Sequence, residues 1–135
     1  MSTTETSTTT TTQTTSQRKG PFILVTVNTA PDRAKKLIGR LIEGLKDRYD
    51  ITYIANCETI DQVAPKVRHH QPNILFSASM WSAAEAELIK EIAERERPGI
   101  RTHAIPQGLQ VERGPDAVVE YLMENVPVLL DGVEV

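Results

Sequence analysis

The sequence predicts an α/β domain, a parallel sheet of four or five strands covered by helices on both faces. Short, nearly continuous apolar runs recur at FILVTVN (22–28), ITYIA (51–55), NILFSAS (73–79) and IRTHAIP (100–106). Between them lie segments with apolar residues at helical spacing, and that alternation is the signature of a parallel sheet buried on both sides. The third observation is a break in composition. MSTTETSTTTTTQTTS holds ten threonines and three serines, with nothing aliphatic or aromatic after Met1. Such a segment has nothing to bury, so residues 1–18 are expected to be a disordered leader and residues 19–135 one domain. A body of about 115 residues can bury roughly two-thirds of its unfolded surface without disulfides or metals.

Taken in order, FILVTVN is the first strand. The helix that follows it sets Ala34, Leu37, Ile38, Leu41, Ile42 and Leu45 on one face. Pro31 suits a first helical turn, and Thr29 with Asp32 forms an S/T-x-x-D capping pattern. ITYIA is the second strand, and Thr59 to Gln62 reads as a capping box for a helix running to about His70. NILFSAS is the third strand, and Ser82 with Glu85 forms a second capping box before AEAELIKEIAERER. Pro98-Gly99 stops that helix, and IRTHAIP is the fourth strand. Gly114-Pro115-Asp116 opens a last helix. Val126-Pro127 interrupts it, so the apolar run VPVLLDG (126–132) is expected to be a fifth strand rather than more helix. Right-handed crossovers then give a flavodoxin-like or Rossmann-like sandwich with strand order 2-1-3-4-5.

Composition excludes several classes of function. One cysteine, Cys57, rules out an internal disulfide or a cysteine metal cluster and fits a reducing compartment. The net charge is −3, and the 15 basic residues are dispersed, which is not a nucleic-acid footprint. No apolar run approaches the roughly 18 residues of a membrane span, and the leader lacks a signal-peptide core, so the expected location is the cytoplasm.

Ligands of such sheets bind beyond the carboxyl ends of the strands. That rule selects the loops Asn28-Thr29-Ala30, Asn56-Cys57-Glu58, Ser79-Met80-Trp81 and Pro106-Gln107-Gly108, and Asn28, Thr29, Ser77, Ser79, Trp81, His103 and Gln107 are the candidate ligand- or partner-binding residues, with no catalytic or metal-binding residue assigned. The first loop, NTAPD, has no glycine to let backbone N–H groups approach a phosphate, and no GxGxxG occurs, so no cofactor is expected. His69-His70 read as cations at a helix C-terminus rather than a metal pair. A nucleophile built from Ser77 or Ser79 with His103 would lack the G-x-S-x-G elbow. Arg33, Lys36 and Arg40 share one helix face, and Glu87, Glu91 and Glu94 another; both read as solvated faces. Trp81, the only tryptophan, caps the apolar layer with Met80, or serves as a ligand lid or partner contact.

The layout, with QPNILFSASMW after an amphipathic helix, resembles the receiver domain of bacterial response regulators across nearly the whole body. That resemblance implies paired acids after the first strand, a phosphoacceptor Asp after the third, Ser or Thr after the fourth and Lys after the fifth. This chain carries Val27-Asn28-Thr29, Ala78, Ile105-Pro106 and Asp131 there, so the resemblance is to a degenerate receiver that does not accept phosphate. RYDITYI, PNILFSAS and GLQVERGPDAVVEYLMENVPVLLDG also resemble the substrate domain of D-2-hydroxy acid dehydrogenases, without a coenzyme domain. The expectation is a non-catalytic module that binds a partner protein or a small molecule at its carboxyl edge. The alternative is a small metabolic enzyme or accessory protein using the same edge. Helix-face homodimerisation is compatible with both.

Overall fold

The computed structural model describes residues 18–133; the rest of the predicted leader lies outside the described residues. Four strands, β1 (Lys19–Val27), β2 (Tyr49–Cys57), β3 (Ile74–Ser77) and β4 (Arg101–Ala104), alternate with four helices. The helices are α1 (Pro31–Leu45), α2 (Val63–His70), α3 (Ala83–Glu96) and α4 (Leu109–Asp131). All pairings are parallel, in the order β2-β1-β3-β4. The expected α/β sandwich is present, and its order is the first four places of 2-1-3-4-5.

Strand alternation assigns the two faces. Phe22, Leu24, Ile74 and Phe76 point to α1 and α4, where they meet Leu37, Ile38 and Leu41 and then Val118, Leu122, Val126 and Leu130. Val25, Val27 and Leu75 point the other way, to Val63 and Val67 of α2 and to Ile89 and Ala93 of α3. Each fully buried side chain of this size stabilises the fold by about 1.5–3 kcal/mol relative to exposure. α1 and α4 pack tightly at Gly44, where a Cβ would lie 2.8 Å from Met123 Sδ.

The expected fifth strand is not formed, and the described sheet has four strands. Val126 to Asp131 are the last turns of α4. The burial period shows why: Val118, Leu122, Val126 and Leu130 are buried four residues apart, whereas Val128 is 75% exposed. A strand would have put residues 126, 128 and 130 on one face. Pro127 is accommodated within the helix. α4 also begins earlier than expected, at Leu109, and Gly114 (φ 84°, ψ 178°) breaks it before Pro115 restarts the coil. Glycine adopts that left-handed φ without a Cβ penalty. Asp131 is therefore a helix-end residue, and its Oδ1 accepts the Tyr49 hydroxyl proton at 2.6 Å.

Of the expected caps, Ser82 and Glu85 form the full reciprocal box of α3. The other two differ. α1 is entered from Ala30 with Pro31 in its first turn and no side-chain cap, and Thr59 precedes a 3₁₀ turn (Ile60–Gln62) without capping it. Gln62 Oε1 instead accepts from Glu58 N at 2.8 Å. The C-terminus of α4 is held by two cations from elsewhere in the chain. Lys19 Nζ donates to the carbonyls of Leu130 and Asp131 at 3.1 and 3.0 Å, and Arg101 Nη2 donates to Gly132 O at 3.1 Å. Positive charge at this end complements the helix dipole and satisfies carbonyls that have no helical partner.

Candidate functional site

The carboxyl ends of the strands carry a chain of polar groups that begins inside the sheet. Thr26, 4% exposed, donates its only hydroxyl proton to Asn56 Oδ1 at 2.7 Å. The Tyr53 hydroxyl, 2.5 Å from Thr26 Oγ1, must therefore be the donor of that contact. Asn56 Nδ2 donates to Asn28 O at 3.0 Å, and Asn28 Oδ1 accepts from Ala30 N at 2.7 Å. The Asn28 N–H bonds Cys57 O at 2.9 Å. Asn28 is thus buried with its backbone groups and side-chain oxygen engaged, and its Asx turn leads the chain into α1 without capping it. Thr29 itself is exposed.

The third loop is tied down in the same way. Val27 O accepts both Ala78 N at 3.0 Å and Trp81 Nε1 at 2.9 Å, and the Trp81 ring packs against the α2/α3 core. Ser79 is buried; its carbonyl accepts from Gly108 N at 3.0 Å and its Oγ from Gln110 N at 3.4 Å, which fixes the entry to α4. Gln107 is exposed beside it. Between α1 and α4, the space beneath these loops is a cavity of only about 20 Å³.

Ser77 and His103 fall on opposite faces of the sheet. Ser77, buried, follows Leu75 toward α3, whereas His103 pairs in register with Phe76 and faces α4. There its Nε2 lies 2.6 Å from the Tyr121 hydroxyl, and its ring stands edge-on to Phe76 at 6.3 Å. Burial pushes the His103 pKa below its ordinary value and the Tyr121 pKa above its own. A Ser77–His103 nucleophile is excluded by this placement, and Ser79 is engaged by Gln110 rather than by an imidazole. The Cys57 thiol is buried and pushed up to about 11, so it stays protonated at neutral pH. Among the described residues, no three His, Cys, Asp or Glu side chains converge as metal ligands.

A larger space opens beside the loops, on the other face of the sheet. A trough of about 330 Å³ runs beside β4 under α3, bordered by Ser77, Thr102, Ala86, Glu87 and Lys90. The structure therefore gathers Asn28, Ser79 and Trp81 into the interlocked carboxyl edge, leaves Thr29 and Gln107 on its surface, and sets Ser77 and His103 on opposite faces of the sheet. Sequence reasoning placed Asn56 in a carboxyl-end loop without naming it as a binding residue, and it missed Tyr53, Gln110 and Tyr121. Tyr53, Asn56 and Ser79 bond groups 27 to 31 residues away, and Tyr121 reaches His103 from the next element. No local spacing marks such pairs. The chain matches no protein-family model and no curated protein. No described helix is long and apolar enough to cross a membrane.

Proposed function

We propose that this chain is a non-catalytic, receiver-like module that binds a partner protein at the carboxyl edge of its sheet, through a surface that includes Thr29, Gln107 and the exposed part of Trp81. The observation that carries this reading is the combination of interlocked loops and missing volume. Small-molecule sites usually need about 300–1,000 Å³, and the cavity beneath these loops holds about 20 Å³. Asn28, Asn56, Ser79 and Trp81 spend hydrogen-bonding groups on the chain itself, which fixes the shape of the edge and lowers the ordering cost of docking a protein there. Ala78 directly follows β3, at the place that the resemblance to receivers gives to the phosphoacceptor, so the edge offers a methyl group where a transferable phosphate would sit. The order β2-β1-β3-β4 is compatible with that lineage.

The test pairs capture with titration. The immobilised protein should retain a partner identifiable by mass spectrometry, and the surface variant Thr29→Arg/Gln107→Arg should lose it while keeping its circular dichroism. Trp81 emission should stay unchanged on titration with nucleotides, flavins and 2-hydroxy acids. A saturable shift with any of these, together with capture unaffected by the double variant, would replace this reading with that of a small-ligand enzyme or accessory protein.

A further inference from the structure

We infer that two copies of this chain pair through the free edge of β4, antiparallel, to form one continuous eight-stranded sheet. This goes beyond the reading above and uses a different surface. The β3–β4 ladder engages Arg101 N with Asn73 O at 3.0 Å and Ile105 N with Ser77 O at 2.9 Å. Backbone groups alternate along a strand, so the N–H and C=O of Thr102 and Ala104 point away from β3. No described strand pairs with them, because β4 ends the sheet. The fifth place, which a strand from residues 126–132 was expected to fill, is empty because those residues are helical.

The two sheet edges differ. β2 pairs with β1 through two register irregularities, which bend and twist that edge. β4 pairs with β3 without a register shift and has no proline and no bulge; its guards are its length of four residues and the charge of Arg101. A two-fold axis perpendicular to the sheet at His103 would set Thr102 of one copy opposite Ala104 of the other, twice over, forming four new backbone hydrogen bonds.

The wall beside this edge is self-complementary under the same axis. Ala83, Ala86, Glu87 and Lys90 of α3 line the trough next to β4. The two-fold places α3 of both copies on the same sheet face, running antiparallel, so Glu87 of each copy faces Lys90 of the other across the joined troughs. Neither side chain has an ion-pair partner among the described residues. The small side chains of Ala83, Ala86 and Ala104 leave the room that a second copy needs. Antiparallel pairing joins opposite charges, whereas a shared groove for an acidic or basic peptide would face both signs at once. The isologous arrangement is the one that satisfies every group named here.

Sedimentation velocity of the purified chain at about 100 μM should show a dimer. Thr102→Pro removes an outward N–H while leaving the β3 ladder intact, and it should give a folded monomer with unchanged circular dichroism. Lys90→Glu should weaken dimerisation by about tenfold or more, Glu87→Lys should do the same, and the two reversals combined should restore it. The charge pair decides the matter should the proline variant fail to fold. A monomeric parent, or single reversals that leave the dimer unchanged, would overturn the inference. The Thr29→Arg/Gln107→Arg variant should remain dimeric, which separates failure here from failure of the partner-binding surface.

Discussion

Truncating Trp81 in two steps separates its hydrogen bond from its ring. In Trp81→Phe the indole N–H is lost, but Val27 O keeps the Ala78 N–H at 3.0 Å and is not left unpaired. The loss should therefore be that of one ordinary hydrogen bond, about 1 kcal/mol. Trp81→Ala also removes the ring from the α2/α3 core. A fully buried aromatic would cost about 3–5 kcal/mol, and partial exposure brings the figure here to about 2–3 kcal/mol. In a domain of this size these losses correspond to melting-temperature drops of roughly 4 °C and 8–12 °C. Urea unfolding followed by circular dichroism, which does not depend on the missing fluorophore, would measure both. A Trp81→Ala protein within about 0.5 kcal/mol of the parent would refute the packing argument and leave the whole indole free for recognition. Equal losses in the two variants would instead assign the effect to the N–H alone.

Other outcomes follow from single positions. Gly39 lies exposed in the interior of α1 with nothing within 4 Å of where a Cβ would sit, so Gly39→Ala should raise stability by about 0.5–1 kcal/mol in thermal or urea unfolding, and a loss would refute this. The Cys57 thiol, pushed up to about 11 and buried, should react with Ellman's reagent at pH 8 only after unfolding; a native rate near that of free cysteine would contradict the burial. His103 has a folded pKa below its unfolded value of about 6.5, so it contributes stability that is full above that pH and is lost as pH falls through the folded value. Between pH 7 and 5 the parent should lose stability relative to His103→Gln, and a pH-independent difference between the two would remove His103 as the cause.

Element order and the two-faced core were legible because they rest on local periodicity. The strand centres, the buried stripe of α1 and the Ser82–Glu85 box each lie within a few residues of sequence. The C-terminal segment misled because Val126, Leu130 and the run between them satisfy a period of two as well as one of four. Only the exposure of Val128 separates the two readings, and exposure depends on which face α4 lays on the sheet. The carboxyl edge was located correctly as a place, yet its wiring was hidden. Asn28 was expected to present itself to a ligand or partner, and it instead joins a relay from Tyr53 through Thr26 and Asn56 to Ala30, the residue that enters α1. Those partners meet only once parallel register has aligned β1 with β2.

The cationic clasp on the C-terminus of α4 has a consequence for the order in which the molecule can be made. Lys19 and Leu130 are 111 residues apart, so this contact joins one of the first described residues to one of the last. During synthesis β1, α1, β2, α2, β3 and α3 all leave the ribosome before α4. Until α4 follows, Phe22, Leu24 and Phe76 have α1 on their face of the sheet but not Val118, Leu122, Val126 and Leu130. Half of one sheet face therefore stays bare until α4 has been made, which takes a few seconds at ordinary elongation rates of about 5–20 residues per second. A nascent chain stalled before Leu109 should be a substrate for chaperones that hold exposed apolar surface, and release of α4 should end that dependence.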